Sequence, residues 1–583
     1  MKNLKTILFL IFFLVLHIAL GQNSNNSFKI KAILIDSLSD QPISFASIYK
    51  TRDTKGTLSN YNGEFTLENV TNGDTIICSF VGYEKLIFIA QQTKKYSKIY
   101  LLPEAQLEDE VTILADDAFL YQLVSNAKKS NTTAKKVAKT YFELESFHNN
   151  AQLELFQGYY NGTFKGYDVS ELEMKNARFA LAPIENRFFI STETSKAMYM
   201  QNLMESDAYF PTGPLELSSR KLRKTYWLSL NTKFKNEENK IIYAIKFKPK
   251  VSKNHFFQGT VWIDSLSNKL IKIKFNIENA RTHPFQAIWS IHSLEKVNLE
   301  LSKSFIEIEG EMFLNSMDFN YNLAYKSEND SLINISTRAI LYAYNFSDEF
   351  ILPFFDFAEV SNADYRKIQM LPDNQKFWAC TNEFKIENNS IKRNSFINEK
   401  AKIKDYNFFD TDTLFKKNFF EQSYAVWNGN RFLLKEKIDE TKQNDFHRRK
   451  IPSNLYHLEV QLFMDLNILC DTLQIITKTV FDPFDTFYNL PMTKESQAFI
   501  NIYFDLMEIE RRKMHEELLL CGNDLNLIKK KYKNSKIKAL EMSEIYFKEM
   551  QRGTNRENLL KWNEVVKREL NIDNFTLFEV GMD

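Results

Sequence analysis

Residues 28–50 read FKIKAILIDSLSDQPISFASIYK, residues 56–70 read GTLSNYNGEFTLENV, and residues 73–90 read GDTIICSFVGYEKLIFIA. Phe28, Ile30, Ala32 and Leu34 alternate with polar or less apolar positions, the period-two pattern of a half-buried strand. Asp40-Gln41-Pro42 closes that segment, and residues 44–49 resume the extended pattern. Gly56 opens a turn, and Tyr61-Asn62-Gly63 supplies the Asn-Gly pair favoured where a hairpin needs positive φ. Asn72-Gly73-Asp74 turns the chain again before a continuous apolar strand at residues 75–81. Residues 87–90 and 99–102 complete roughly seven short strands in about 80 residues, the rhythm of an all-β sandwich. The expectation is a small sandwich over residues 27–104, a module that binds or braces.

What precedes the sandwich reads as an export signal. Lys2 and Lys5 form a positive start, residues 7–20 an apolar run broken by His17, and Ala19-Leu20-Gly21 a small-residue cleavage site. Cleavage of residues 1–21 would leave Gln22 first; an uncleaved anchor is the alternative. The run is short for a bilayer, which needs roughly 20 residues. No Cys stands at the cleavage point to carry a lipid. Lys and Arg number 75 against 74 Asp and Glu, which argues against nucleic acid or another polyanion as partner. Fifty Phe and 26 Tyr against 15 Gly and 12 Pro describe a packed chain rather than a disordered one.

The N-terminal stretch resembles the carboxypeptidase-regulatory-like family, which has a transthyretin-like fold. The resemblance rests on Asp36, Pro42, Ala46, Gly56-Thr57, Asn62-Gly63-Glu64-Phe65, Gly73-Asp74 and Gly82-Tyr83, with Lys31 departing where a Gly is common. It implies docking or support and brings none of the zinc ligands of a carboxypeptidase. In members that precede outer-membrane receptor plugs, the following segment is acidic and apolar, as residues 107–113 are here. No plug or long barrel pattern follows, so the receptor reading fails.

After a linker at residues 105–115, residues 116–129 read as a helix capped by Asp116 or Asp117, with Phe119, Leu120, Leu123 and Ala127 on one side. A large antiparallel sheet is expected within residues 116–350. Its clearest hairpin turns at residues 265–268, where Ile271, Ile273, Phe275 and Ile277 alternate with Lys272, Lys274, Asn276 and Glu278. Residues 241–247, 305–314 and 317–325 repeat the pattern. The G-x-V-W-I-D run at residues 259–264 is similar to hairpins of lipoprotein-carrier (LolA-like) half-barrels, a resemblance that implies an apolar cavity; any exposed antiparallel hairpin alternates in this way, and a plain sheet core is the preferred reading. Residues 351–490 read as a mixed unit, and residues 491–583 as helices. In the tail Gly522 is a stop, Asp524 a cap, and Thr554-x-x-Glu557 a capping box.

Candidate chemistry is sparse. Asp505, Glu508, Arg512 and His515 share one arc of a helix, opposite Phe499, Ile502, Tyr503, Leu506 and Ile509; their spacing fits a solvated face better than a metal site. Asp465, Asp471, Asp482 and Asp485 offer oxygen ligands without the rhythm of a calcium loop, and read as turn formers. His447-Arg448-Arg449-Lys450 reads as a solvated basic loop. Cys78 is expected as a buried thiol; Cys380, Cys470 and Cys521 permit disulfides that sequence cannot pair. Asp36-Ser37-Leu38 and Asp264-Ser265-Leu266 look like bacterial O-glycosylation triplets, or are simply turns.

The expected protein is therefore multidomain, mainly β and then α. It is a non-catalytic, exported envelope protein of Gram-negative type, periplasmic or outer-membrane associated. No catalytic, cofactor or metal residue is assigned. The expected partner is an envelope or outer-membrane protein, or an apolar ligand. Two alternatives remain: a periplasmic lipid carrier, and an envelope hydrolase whose carboxylates converge only in three dimensions.

Overall fold

A computed structural model describes residues 27–103, 117–184, 189–357, 374–381, 424–431, 456–488, 493–550 and 555–581, with short gaps inside these ranges, and single positions 364, 367, 368 and 371. The export signal, the 105–115 linker, the 447–450 basic cluster, Asp471 and much of residues 351–490 lie outside the described residues.

Seven strands build the N-terminal sandwich: β1 (Phe28–Asp36), β2 (Ser47–Lys50), β3 (Gly56–Leu58), β4 (Glu64–Val70), β5 (Thr75–Ser79), β6 (Leu86–Ile89) and β7 (Lys98–Leu101). They form one layer ordered β4-β1-β7 and another ordered β3-β2-β5-β6. Ile30, Leu34, Ile48, Phe65, Ile76 and Cys78 fill the space between the layers. Cys78 is a free thiol, and burial pushes it up to about 12. The Asn62-Gly63 turn is not a hairpin: β3 and β4 belong to different layers, so it carries the chain across the sandwich. Gly63 has φ +72, and a Cβ there would collide with the Leu34 carbonyl, so only glycine fits. Two residues of the family-like pattern also meet. The Tyr83 hydroxyl donates to the Asp36 carboxylate at 2.8 Å, tying the end of β1 to the loop after β5. Burial opposes ionisation of Asp36, but the N–H groups of Leu38 and Ser39 and this hydroxyl hold its carboxyl below the ordinary value.

Ten strands form the central sheet: β8 (Lys135–His148), β9 (Ala151–Lys165), β10 (Asp168–Leu181), β11 (Tyr226–Lys235), β12 (Ile241–Pro249), β13 (Gln258–Asp264), β14 (Leu270–Ile277), β15 (Ser293–Ile308), β16 (Glu311–Lys326) and β17 (Leu332–Phe346). Their order is β10-β9-β8-β17-β16-β15-β14-β13-β12-β11, all antiparallel. The expected strand at 305–314 is two strand ends, because Glu309 and Gly310 both take left-handed φ in the β15–β16 turn.

Inward side chains of all ten strands make one apolar core. Helix α1 (Asp117–Lys129) lies against it through Leu120, Leu123, Val124 and Ala127, while Phe119 is exposed, edge-on to the Tyr243 ring. Helices α2 (Ser191–Met200) and α3 (Ser219–Thr225) complete the cover, contributing Met198, Tyr199 and Leu222. The inner face, read from the sequence as a plain sheet core with a ligand cavity as the alternative, is packed with the chain's own side chains.

Downstream come α4 (Gln375–Cys380), β18 (Ala425–Val426), and a long hairpin of β19 (Tyr456–Leu469) and β20 (Thr472–Tyr488). Helices α5 (Lys494–Leu519), α6 (Leu525–Met550), α7 (Arg556–Leu570) and α8 (Asn574–Leu577) follow. Leu462, Met464 and Phe481 of the hairpin share a core with Phe499, Ile502 and Tyr546 of the helices. Thr493 and Asp524 cap α5 and α6. At α7 the side chain of Asn555 accepts from the Asn558 N–H as the cap; Thr554 of the expected capping box lies outside the described residues.

Candidate functional site: the outer face of the central sheet

The acidic clusters singled out in the sequence are structural. Asp505 is fully buried; it accepts from Trp427 Nε1 at 2.8 Å, from both terminal nitrogens of Arg431 at 2.7 and 3.0 Å, and from Asn574 Nδ2 at 2.9 Å. Glu508 is buried against β20, taking hydrogen bonds from Thr479, Arg511 and Arg512. Burial works against its charge, but the two guanidinium groups win and hold the carboxyl below the ordinary value. The expected solvated arc of α5 is therefore a second packed face. His515 meets the Thr477 hydroxyl at 3.1 Å. Asp482 lies five residues further along β20, a separation of roughly 17 Å at strand spacing, and Asp485 is exposed. Asp482, Asp485 and His515 thus do not gather around one pocket. Among the described residues, no group of three His, Cys, Asp or Glu is placed to hold a metal ion.

Asp465 has a different task. It meets Lys175 Nζ at 2.5 Å, with both side chains buried, and the same ammonium donates to the carbonyls of Ile351 and Leu466. Lys175 is the extra residue of a bulge, since β10 pairs Met174 and Asn176 with adjacent residues of β9 and skips it. The bulge aims a cation from the edge strand into the C-terminal unit. Desolvation lowers the ammonium's pKa and Asp465 raises it; the net shift is downward.

The sandwich meets the outer face elsewhere. Lys272 of β14 sits 4.1 Å from the Phe80 ring centroid and 5.8 Å from that of Trp262. Burial pushes its ammonium down to about 7. Leu58 of the sandwich, Tyr141, Tyr159 and Ile340 of the sheet, Phe377 of α4 and Leu469 of β19 form one cluster, so three units converge on this face.

Beside that junction nothing among the described residues covers the outer face, which forms an open trough of about 530 Å³. Its floor is a cross-strand row of direct partners: Asn298 on β15, Asn322 on β16, Ser336 on β17 and Phe147 on β8. A neighbouring row holds Lys296, Ala324 and Asn334. Asn149 and Asn150, both at positive φ in the β8–β9 turn, complete the lining near its end. Arg338 lies 5.2 Å from the Phe147 ring centroid and donates twice to Glu145, at 2.8 and 3.0 Å. The sequence reading missed this row. Its signal was available, because Asn is depleted in strands, yet 298, 320, 322 and 334 all fall on outward strand positions.

The polar residues of the inner face form a closed knot. Glu154 is fully buried and accepts from the N–H groups of Ser191 and Thr192 and from the Thr192 hydroxyl at the start of α2. Burial raises its carboxyl to about 7 despite those donors. Ser146 and Thr337 bond to each other and to Ser191, while Tyr321 bonds to Ser195, so this cluster caps the helix.

Residues 33–113 match the family model of the CarboxypepD_reg-like domain. That domain is a regulatory, non-catalytic one. Among solved structures, the LolA superfamily protein from Nitrosomonas europaea is similar over 42% of this chain and 98% of its own, at 9% identity and a TM-score of 0.16. The MucA/MucB complex of Pseudomonas aeruginosa is similar over 39% of this chain and 93% of its own, at 8% identity and a TM-score of 0.14. No curated protein matches. Among the described residues, no helix is long and apolar enough to cross a membrane.

Proposed function

We propose that this chain is an exported, non-catalytic protein of the cell envelope. Its CarboxypepD_reg-like module braces the central sheet, and the outer side of that sheet carries the binding face. The observation that carries this reading is the division of the outer face. One part is consumed by contacts with the sandwich and the C-terminal unit, and the adjoining part is an open polar trough. The candidate carboxylates support binding over hydrolysis, since Asp465 and Asp505 pair with cations from distant segments and Glu508 with Arg511 and Arg512 of its own helix. Cys380 is disulfide-bonded, which suits an oxidising compartment.

The test is site-specific photo-crosslinking of the full chain in its host, from position 322 in the trough and from exposed position 540 on α6. The expected result is a chain beginning at Gln22 in the envelope fraction, with a covalent adduct from 322 only. Retention in the cytoplasm with the leader intact, or the same adducts from both positions, overturns the proposal.

A further inference from the structure

We propose that the trough binds a polyhydroxylated chain, a glycan, laid across the strands. This rests on the binding-face reading above and gives it a ligand class. Asn298, Asn322 and Ser336 stand on three successive strands as direct cross-strand partners. Neighbouring strands lie about 4.8 Å apart, close to the length of one pyranose ring. Each Asn amide offers both a donor and an acceptor, which is what adjacent sugar hydroxyls demand. Asn298 already spends its Oδ1 on the Asn279 N–H at 2.9 Å, which fixes the amide and leaves its NH₂ to donate. Phe147 adds an apolar contact at the end of the row, backed by Arg338.

Other ligand classes fit less well. The trough lies over β8 and β15–β17, inside a ten-stranded sheet, so no free strand edge is available there to pair with an extended peptide. Among the described residues, Lys296 is its one cation besides Arg338, and Arg338 is held by Glu145; a polyanion such as nucleic acid would need more. An apolar ligand would strand the amides without partners. No Asp or Glu among the described residues lines the trough, so the pair of carboxyl groups that cleaves a glycosidic bond is missing there, and the site holds rather than cuts. Asn is a poor strand former, and its concentration on one face costs stability with no packing gained.

The experiment titrates the purified full-length mature chain with the neutral chains cellohexaose, chitohexaose, maltohexaose and xylohexaose by calorimetry. At least one should bind with a dissociation constant below about 1 mM. The double variant Asn298→Ala/Asn322→Ala should weaken it at least tenfold while its circular dichroism spectrum still matches that of the parent chain. Binding by none of the four, or equal binding by the double variant, overturns the glycan assignment. If position 322 still crosslinks to an envelope component in that event, the binding-face reading stands and only the ligand class falls.

Discussion

Along β8, Ala138, Phe142 and Leu144 enter the apolar core beneath α1, while Tyr141 between them joins the outer cluster with Leu58 and Phe377. The inner face is sealed by shape: aliphatic and aromatic side chains from ten strands close on one helix and its followers. The outer face has one small apolar cluster and, around it, pairs: Lys175 with Asp465, Lys272 with Phe80, and Arg338 with Glu145. Loss of shape leaves a cavity whose cost scales with its volume. Loss of one member of a pair leaves a charge or a polar group stranded. The two faces should therefore respond to mutation by different rules.

The largest effect should come from the inner face. Phe156→Ala should cost about 3–5 kcal/mol in chemical denaturation. On the outer face, Lys175→Met should cost about 3 kcal/mol by leaving Asp465 buried without its cation, and the double variant Lys175→Met/Asp465→Leu should recover most of it. A double variant no better than the single would show that this junction also depends on shape. Next is the inner polar knot. The Glu154 carboxyl is raised from an ordinary 4.5 to about 7, so the folded chain keeps a proton that the unfolded chain releases. Stability should fall as pH rises from about 4.5 to about 7 and level off above, by at most about 3 kcal/mol. Glu154→Gln should flatten that slope in denaturation curves at pH 5 and pH 8. Lys272→Ala should cost about 1–2 kcal/mol and raise proteolysis between the sandwich and the sheet. Asn322→Ala should shift stability by no more than about 0.5 kcal/mol; a larger loss would mean that the trough is structural.

Local rules carried the sandwich and the sheet. Asn62-Gly63, Asn72-Gly73 and the alternation from Ile271 to Ile277 announce turns and faces within a few residues. What they could not carry was anything set by a distant partner. Asn62-Gly63 reads the same for a layer crossing as for a hairpin, because both need positive φ; only the sheet order separates them. Asp505 and Glu508 looked solvated because the helix itself has a clean apolar stripe on its other side. Trp427, Arg431 and Thr479, which bury them, lie 78, 74 and 29 residues away. The trough was written in the sequence as misplaced asparagines, legible only once the four strands are known to be neighbours.

Lys175 and Asp465 are separated by 290 residues. A polypeptide threaded through a membrane from its amino end would present that ammonium to water long before its counter-ion emerges. On such a route the border of the sheet would carry an unanswered charge until the tail arrives. A chain cut short before β19 would keep a hydrated, open rim there, with the Lys175 ammonium facing water instead of Asp465.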